Sequence, residues 1–321
     1  MKDLTDLRAD AARILATCLG VKQGEEVLVV TDEPLRPVGE LLWQAAKDLG
    51  AEAAIVEIMP RASHGAEPPA MVAEAMKKAA VVLAPTSKSL SHTAARKEAN
   101  QAGARIYTLP GILPETLVRA LQGNYERIAE VSNKLAEILT KGKTARVTTP
   151  AGTDITLSIA GRTGHPDTGL VNKPGLFSNF PAGEAFIAPV EGTANGKFVV
   201  DGSMSGAGIL TNDPITFIVK DGFVTDITGG EGARRIVEII KPFGQPARNI
   251  AELGIGTNDQ AELCGSPLED EKVLGTAHIA IGDNKTFGGN TSVPSHLDGI
   301  MLKATIEIDG QVIMQDGKLM I

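Results

Sequence analysis

The sequence predicts two domains of different fold class: an N-terminal Rossmann-like α/β domain with a parallel sheet over residues 1–142, and a mostly antiparallel β domain over residues 143–321. A chain of 321 residues exceeds what one hydrophobic core usually supports, so two domains are expected. Apolar runs alternate with helical patterns in the first half, whereas short strands and tight turns dominate the second. The predicted class is therefore α/β followed by α+β.

The first half contains two strand–helix–strand units. From residue 26 the apolar run EVLVV is followed by the helical pattern GELLWQAAKDLG and by a second strand, AEAAIVEI. The cycle repeats with AAVVLAPT, a helix over residues 90–102, and ARIYTLP. Strands that alternate with helices predict a parallel sheet with helices on its faces. A long helix follows over residues 115–143 and is expected to break near Gly123.

The turn after the first strand, TDEPLRPVGE, is acidic and contains proline. It has neither the GxGxxG pattern of dinucleotide-binding folds nor a phosphate-binding P-loop. We therefore expect the first domain to be a scaffold or a substrate wall and not a nucleotide site.

From residue 144 the pattern changes to short strands. TARVTTPAGTDITLSIAG predicts a β-hairpin, and Asp-Gly pairs beginning at residues 221, 309 and 316 mark further tight turns. A helix, GARRIVEIIKPF, precedes two apolar strands, NIAELGIG and GTAHIAIG. This half is therefore expected to be mainly antiparallel.

Composition excludes several classes of protein. The formal net charge of −8 and the low aromatic content of 3% argue against a nucleic-acid partner, which would require basic patches and stacking aromatics. The two cysteines form no disulfide framework. Charged residues interrupt the first twenty positions, which predict an amphipathic helix and not a signal peptide. We expect a cytoplasmic protein with no membrane partner.

Two of the five histidines lie near the C-terminal end, in GTAHIAIGDNKTFGGNTSVPSHLDGIM. His278 lies on a predicted strand, whereas His296 and Asp298 form an H-x-D pair in a predicted loop. In an extended segment, residues i and i+2 point to the same side, so these two side chains could bind one ion. Imidazole and carboxylate ligands suit Zn, Mn, Co or Fe(II). The alternative is that each histidine makes only local hydrogen bonds.

Two glutamates lie in unusual surroundings. Glu184 lies between two prolines in the segment SNFPAGEAFIAPVEG, with apolar residues on either side, and Glu252 lies inside the apolar strand NIAELGIG. A buried carboxylate is costly unless it is paired or binds a metal. The alternatives are a surface turn for Glu184 and a water-facing edge-strand position for Glu252.

Together these residues resemble the M29 family of metallo-aminopeptidases, which includes the thermophilic aminopeptidases and the AmpS and PepS types. The resemblance covers most of the chain. It rests on GEEVLVVTD in the first strand, on the N-x-P-x-x-E-x-F segment formed by residues 179–186, on Glu252, on His278 within HIAIG, and on the H-x-D of His296 and Asp298.

The resemblance implies a dinuclear centre in the second domain, with Zn, Co or Mn ions bound by Glu184, Glu252, His278, His296 and Asp298. Such a pair of ions would share a nucleophilic hydroxide and polarise a peptide carbonyl. It also implies an aminopeptidase, which is a hydrolase, with a small peptide substrate and a homodimeric assembly. A carboxylate outside the ligand set would move protons, and Glu191 and Asp283 are the candidates.

One position departs from the family pattern. The family has a tyrosine seven residues after the strand histidine, and this chain has Lys285 there. The lysine could stabilise an oxyanion, could bind a substrate carboxylate, or could be a solvated loop residue.

Two other functions remain open. Ring-cleaving dioxygenases of the 2,5-dihydroxypyridine type share the M29-like fold, and in them two histidines and one aspartate hold a single Fe(II); His278, His296 and Asp298 would supply that triad. The retention of Glu184 and Glu252 favours the two-metal hydrolase. A binding protein with a structural metal is the remaining possibility.

Overall fold

The computed structural model describes residues 4–321. The chain divides into two compact units: the first comprises the residues up to Glu126 together with Gly169–Ala182, and the second comprises Arg127–Thr168 together with Gly183–Ile321. The division therefore lies at residue 126, within a helix, whereas the sequence suggested a boundary near residue 142. Leu135 and Leu139 of that helix pack in the core of the second unit, so most of the helix belongs to the second unit and the division falls closer to the N-terminus.

The described residues form eight α-helices and twenty strands. The helices are α1 Arg8–Cys18, α2 Arg36–Asp48, α3 Ala70–Lys78, α4 Ala94–Gln101, α5 Pro114–Gln122, α6 Tyr125–Lys141, α7 Glu231–Ile240 and α8 Pro267–Asp270. The strands are β1 Glu26–Asp32, β2 Glu52–Ile58, β3 Val81–Ala84, β4 Arg105–Thr108, β5 Thr144–Thr148, β6 Asp154–Ser158, β7 His165–Asp167, β8 Phe177–Asn179, β9 Glu184–Ile187, β10 Asn195–Val200, β11 Ser203–Met204, β12 Gly208–Ile209, β13 Ile215–Lys220, β14 Phe223–Thr228, β15 Ile250–Gly256, β16 Ala277–Gly282, β17 His296–Met301, β18 Thr305–Ile308, β19 Gln311–Gln315 and β20 Lys318–Leu319. Short 3-10 helices span Leu4–Leu7, Glu33–Leu35, Lys241–Phe243, Gln245–Arg248 and Lys285–Phe287.

The first unit contains a five-stranded sheet in the order β2-β1-β3-β4-β8, and each neighbouring pair is parallel. Its central strands are apolar on both faces because helices cover them, and Val30, Val82 and Ile106 are fully buried. The predicted parallel α/β domain is confirmed. The long helix also breaks as expected, since α5 ends before Gly123 and α6 begins at Tyr125.

The second unit contains two antiparallel sheets that share one hydrophobic core. The eight-stranded sheet has the order β14-β13-β10-β6-β5-β18-β19-β20, and the seven-stranded sheet has the order β12-β11-β17-β16-β15-β9-β7. Between them lie aliphatic side chains and the stacked rings of Phe198 and Phe217, whose centroids are 4.4 Å apart. The predicted antiparallel character is confirmed.

Tight turns set the register of several hairpins in the second unit. Both residues of each predicted Asp-Gly pair have positive φ, which is the backbone that these residue types tolerate best in two-residue hairpin turns. The pairs are Asp221–Gly222, Asp309–Gly310 and Asp316–Gly317. The predicted hairpin of β5 and β6 is also present, with Thr148 paired to Asp154.

Across residues 4–321, none of the helices has both the length and the apolar character that crossing a lipid bilayer requires.

Candidate metal centre

The candidate centre lies on one face of the seven-stranded sheet. In β16 the side chains alternate: Ile279 and Ile281 enter the core, whereas His278 and Ala280 point to the opposite face. The same alternation in β15 sends Leu253 into the core and places Glu252 on the face of His278. The apolar strands that the sequence predicted thus carry their polar residues on one side.

Strand register brings the five predicted ligands together. Glu252 pairs with Ala280, which in turn pairs with Asp298, so the two carboxylates flank one alanine across three neighbouring strands. His278 pairs with a glycine of β15, His296 pairs with a glycine of β16, and Glu184 pairs with the last glycine of β15. Directly opposed residues point to the same face of a sheet.

Two of these residues occupy different local structure from that expected. Glu184 is the first residue of β9 and His296 is the first residue of β17, whereas both were expected in loops. The alternative of a water-facing edge position for Glu252 is excluded, because β15 pairs with β16 on one side and β9 on the other, and Glu252 is buried. All three side chains therefore have fixed directions.

Small residues leave room for the functional side chains. Gly254 lies beneath the ring of His278, and a Cβ atom at this position would be only 2.0 Å from Nε2 and 2.2 Å from Cε1. Any side chain at Gly254 would therefore displace the imidazole. Together with Ala280, this glycine forms a floor that only small residues can make.

The ligand-type atoms converge in two groups that share Glu252. The first group is Glu184, Glu252 and His278, and the second is Glu252, His296 and Asp298; within each group, one atom from every residue lies within 4.8 Å of the others. His278 Nε2 is 3.3 Å from Glu252 and 3.4 Å from Glu184. His296 Nε2 is 3.4 Å from Glu252 and 3.1 Å from Asp298.

The environment shifts the pKa values of these groups strongly. Burial alone would lower the pKa of His278, but the hydrogen bond to Glu252 and the charge of Glu184 outweigh burial and raise the pKa to about 9. Burial also opposes protonation of His296, but Asp298 and Glu252 hold its pKa well above the usual range. Conversely, despite burial, the two imidazoles hold the pKa of Glu252 below its usual value. Without a metal, the two imidazoles therefore bind protons tightly.

His296 is oriented by a hydrogen bond from its other nitrogen. Its Nδ1 lies 2.7 Å from the backbone carbonyl oxygen of Asp283, which can only accept, so Nδ1 carries the proton. Nε2 then faces Glu252 and Asp298 with its lone pair available when the ring is neutral. Metal-binding histidines in proteins are held in this way.

Three further polar residues adjoin the centre: Lys272, Glu271 and Asp167. None of them was predicted from the sequence to be a ligand or a partner of a ligand. The Nζ atom of Lys272 lies 2.5 Å from Glu184, 3.0 Å from Glu271 and 3.8 Å from Asp167. Lys272 is buried, and the surrounding carboxylates raise its pKa well above the usual range despite that burial. Burial, followed by the charge of Asp298, raises the pKa of Glu271 well above its usual range.

Local sequence patterns do not indicate that these residues adjoin a metal centre. Lys272 and Glu271 belong to the run LEDEKVLG, whose composition is typical of a solvated helix end. Asp167 lies in the short strand β7, paired with Glu184 of β9. The close pairing of these strands brings the carboxylates together, and no local pattern indicates it.

The predicted catalytic residues all belong to the region around the loop that joins β16 and β17. Lys285 is exposed in the short 3-10 helix of that loop. The carboxylate of Glu191 pairs with Arg162 and accepts hydrogen bonds from Asn284 Nδ2 (3.0 Å) and from the backbone N–H of Asn290 (2.7 Å). This carboxylate therefore anchors the loop.

Asp283 also holds the loop. Its carboxylate accepts hydrogen bonds from the backbone N–H groups of Val293 at 3.1 Å and Lys285 at 3.3 Å, while its carbonyl orients His296. The positions of Lys285, Glu191 and Asp283 are thus known, and a proton-transfer role for any of them stays a prediction.

An aromatic row runs beside the centre. The rings of His165 and Phe186 stack with centroids 5.4 Å apart, Phe186 meets Phe287 edge-on at 5.5 Å, and Phe287 meets His296 edge-on at 5.9 Å. These side chains are half-buried. A row of aromatic rings therefore adjoins one of the candidate ligands.

The amino-acid sequence matches one protein family and one named protein. The sequence model of the family described as NicX, 2,5-dihydroxypyridine 5,6-dioxygenase, matches residues 7–321. A Pseudomonas putida protein named 2,5-dihydroxypyridine 5,6-dioxygenase is 25% identical over 243 residues, which are 71% of this chain and 68% of that protein.

Two solved structures share the fold over nearly the whole chain. The structure of 2,5-dihydroxypyridine dioxygenase from Pseudomonas putida has a TM-score of 0.85 at 20% identity and covers 99% of this chain and 98% of that one. The structure of wild-type AmpT from Thermus thermophilus has a TM-score of 0.72 at 18% identity and covers 99% of both chains. At these identities the two likenesses concern the fold.

These relatives correct the functional expectation. The aminopeptidase activity, and with it the hydrolase and protease class, is wrong, because the matching family and the named sequence relative are dioxygenases and therefore oxidoreductases. The M29 resemblance is supported at the level of the fold, through AmpT. Candidate metal-binding residues are present as expected, but a pair of Zn, Co or Mn ions is not confirmed.

Proposed function

The chain belongs to the 2,5-dihydroxypyridine 5,6-dioxygenase family, and we propose that it is an Fe(II)-dependent dioxygenase that opens a dihydroxylated pyridine ring. The proposal is carried by His296, whose Nδ1 proton is held by a carbonyl while Nε2 faces Glu252 and Asp298. This is how a protein prepares an imidazole to bind a metal.

The donor set fits Fe(II) chemically. Neutral imidazole and carboxylate ligands are the set that non-haem Fe(II) oxygenases use, and no thiolate belongs to either donor group. We propose His278, His296 and Asp298 as the ligands that the family triad requires, with Glu252 between the two imidazoles as a fourth donor. Bound iron would supply the redox chemistry by which dioxygen reacts with an aromatic ring.

The neighbouring residues would orient substrate and hold protons. The half-buried rings of Phe186 and Phe287 offer a face on which a planar heteroaromatic ring can pack. Burial and the charge of Asp298 hold the pKa of Glu271 well above its usual range, so this carboxyl group beside the centre is a candidate for exchanging a proton with a substrate hydroxyl. The small side chain of Ala280, which lies between Glu252 and Asp298 on neighbouring strands, leaves space above the sheet for the substrate ring.

The test is oxygen consumption by iron-loaded protein. The metal-free chain is reconstituted with Fe(II) without oxygen and then mixed with 2,5-dihydroxypyridine and dioxygen. We expect loss of the ring absorbance, uptake of about one dioxygen per ring, and incorporation of both atoms of labelled dioxygen into the ring-opened product.

Two controls accompany this test. The same protein loaded with Zn(II), which has no redox chemistry, is expected to be inactive, and His296→Ala is expected to lose most iron and activity. Iron-loaded protein that consumes no oxygen with a series of dihydroxylated pyridines and benzenes would count decisively against the proposal.

A further inference from the structure

Lys272 is a buried cation in direct contact with the centre. Its side chain is only 4% exposed, and its ammonium faces three carboxylates, at 2.5 Å from Glu184, 3.0 Å from Glu271 and 3.8 Å from Asp167. A buried ammonium is stable only where anions and hydrogen bonds replace the lost water. Lys272 is therefore held in place by the same carboxylates that it neutralises.

Glu184 connects this lysine to the first donor group. One of its oxygens contacts the ammonium, and the other lies 3.4 Å from His278 Nε2. The carboxylate that a metal in the first group would need is thus already paired with a permanent positive charge. In the second group, the carboxylates of Glu252 and Asp298 lie 3.4 and 3.1 Å from the imidazole of His296.

We infer that the ammonium of Lys272 takes the place of a second metal ion, so that this centre holds one divalent cation although its carboxylates could serve two. The inference rests on the metal-binding part of the proposed function, and it concerns how many ions bind.

Electrostatics gives the reason. A divalent ion on the free oxygen of Glu184 would share one carboxylate with the ammonium, and repulsion grows with the product of the two charges. The site is buried, so water screens this repulsion weakly. An ion held by the proposed triad, with Glu252 as a further donor, does not need Glu184, which is the carboxylate that faces the ammonium.

The same contact explains how the centre tolerates its acidic residues. Burial raises the pKa of Glu184 above its usual value; the ammonium opposes this shift and provides beside the carboxylate the countercharge that a second metal would otherwise supply. A fold that can hold two ions is thereby adapted to hold one.

The experiment counts metal ions in the full chain. Wild-type protein, Lys272→Met, Lys272→Gln and the matched control Lys272→Arg are each equilibrated with excess Mn(II), passed through a desalting column and analysed for bound manganese. We expect about one ion per chain for wild type and Lys272→Arg, and about two for the Met and Gln variants. Electron paramagnetic resonance adds a second measurement, since two neighbouring Mn(II) ions give an exchange-coupled spectrum and one ion does not.

A double variant separates charge from loss of packing. Lys272→Met with Glu184→Gln removes both the cation and the carboxylate, and we expect about one ion again, because the first donor group has lost a ligand. The Gln variant at 272 keeps a hydrogen-bond donor for Glu184, so it tests the charge even where the Met variant fails to fold.

The number of bound ions tests the role of Lys272 separately from the proposed dioxygenase function. One ion in wild type and one in both neutral variants would overturn the role of Lys272 and leave the proposed dioxygenase intact. Two ions in wild type would also overturn it. No bound manganese in wild type would remove the metal centre itself, and with it both the inference and the proposed function.

Discussion

Replacing Gly254 with alanine is expected to disable the centre by moving one imidazole. The new Cβ atom would lie 2.0 Å from His278 Nε2, 2.2 Å from Cε1 and 2.7 Å from Cδ2. The backbone of Gly254 has no positive φ, so the strand itself can accept alanine. The collision is therefore with the ring and not with the conformation of the chain.

The distances set the size of the effect. To reach an ordinary contact of 3.4 Å, the ring has to move by about 1.4 Å. Metal–ligand bonds tolerate changes of only about 0.2 Å, so His278 would be lost as a ligand, and metal affinity should fall by about 10- to 100-fold. The strain of overpacking should cost about 1–3 kcal/mol of unfolding free energy.

The assay is metal binding by titration, combined with chemical denaturation, in a double-mutant cycle. Gly254→Ala, His278→Ala and the combined variant are compared with wild type. In the His278→Ala background there is no ring to displace, so the alanine at position 254 should have little further effect on metal affinity. An equal loss of affinity in both backgrounds would refute the steric explanation.

Three other predictions concern the same centre. In metal-free protein the pKa of His278 is raised from 6.5 to about 9, so its contribution to stability is present below pH 6.5 and is lost as the pH rises through 9. Chemical denaturation at about pH 6 and at about pH 10 should therefore show that the free energy of unfolding falls by a few kcal/mol at the higher pH. An unchanged or greater stability at high pH would contradict this. Glu191→Gln should loosen the loop that orients His296 and weaken metal binding by about tenfold, whereas a proton-transfer role would lower kcat with metal affinity unchanged. Phe287→Ala should raise KM by about three- to tenfold with little change in kcat, measured by oxygen uptake, and an unchanged KM would exclude this ring from substrate packing.

Much of the fold could be predicted because it follows from local patterns. The period of apolar residues gave the parallel and antiparallel sheets, Gly123 marked the break between α5 and α6, and Asp-Gly pairs marked the hairpins. The edge position of β8 could not be predicted, because the three residues of Phe177–Asn179 gain their strand conformation from pairing with β4, which is distant in sequence.

The candidate site shows the same limit. His278 was identifiable because it interrupts an apolar strand, and Asp298 because it forms an H-x-D pair with His296; the register of β15, β16 and β17 then brings these residues together. Lys272 could not be identified, because its burial depends on Glu184 and Asp167 from other segments, and the charged run in which it lies gives no sign of that pairing.

The function was harder to predict than the convergence of the donor residues. The five donor residues satisfy the pattern of a dinuclear hydrolase and also contain the triad of a mononuclear oxygenase, so residue type and order alone did not separate the two. Glu184 favoured a second metal only as long as no other cation was known to bind its carboxylate. In the structure it binds an ammonium.

The strand β8 has a consequence for synthesis on the ribosome. It completes the first sheet beside β4, yet it is encoded after β5, β6 and β7 of the second unit. The emerging chain must therefore start its second unit while the first still has the N–H and carbonyl groups of an edge strand exposed, which is the form of sheet most prone to unwanted pairing. A fragment that stops at Glu126 should keep that edge open, and hydrogen exchange faster at Arg105–Thr108 than in the full chain would reveal it.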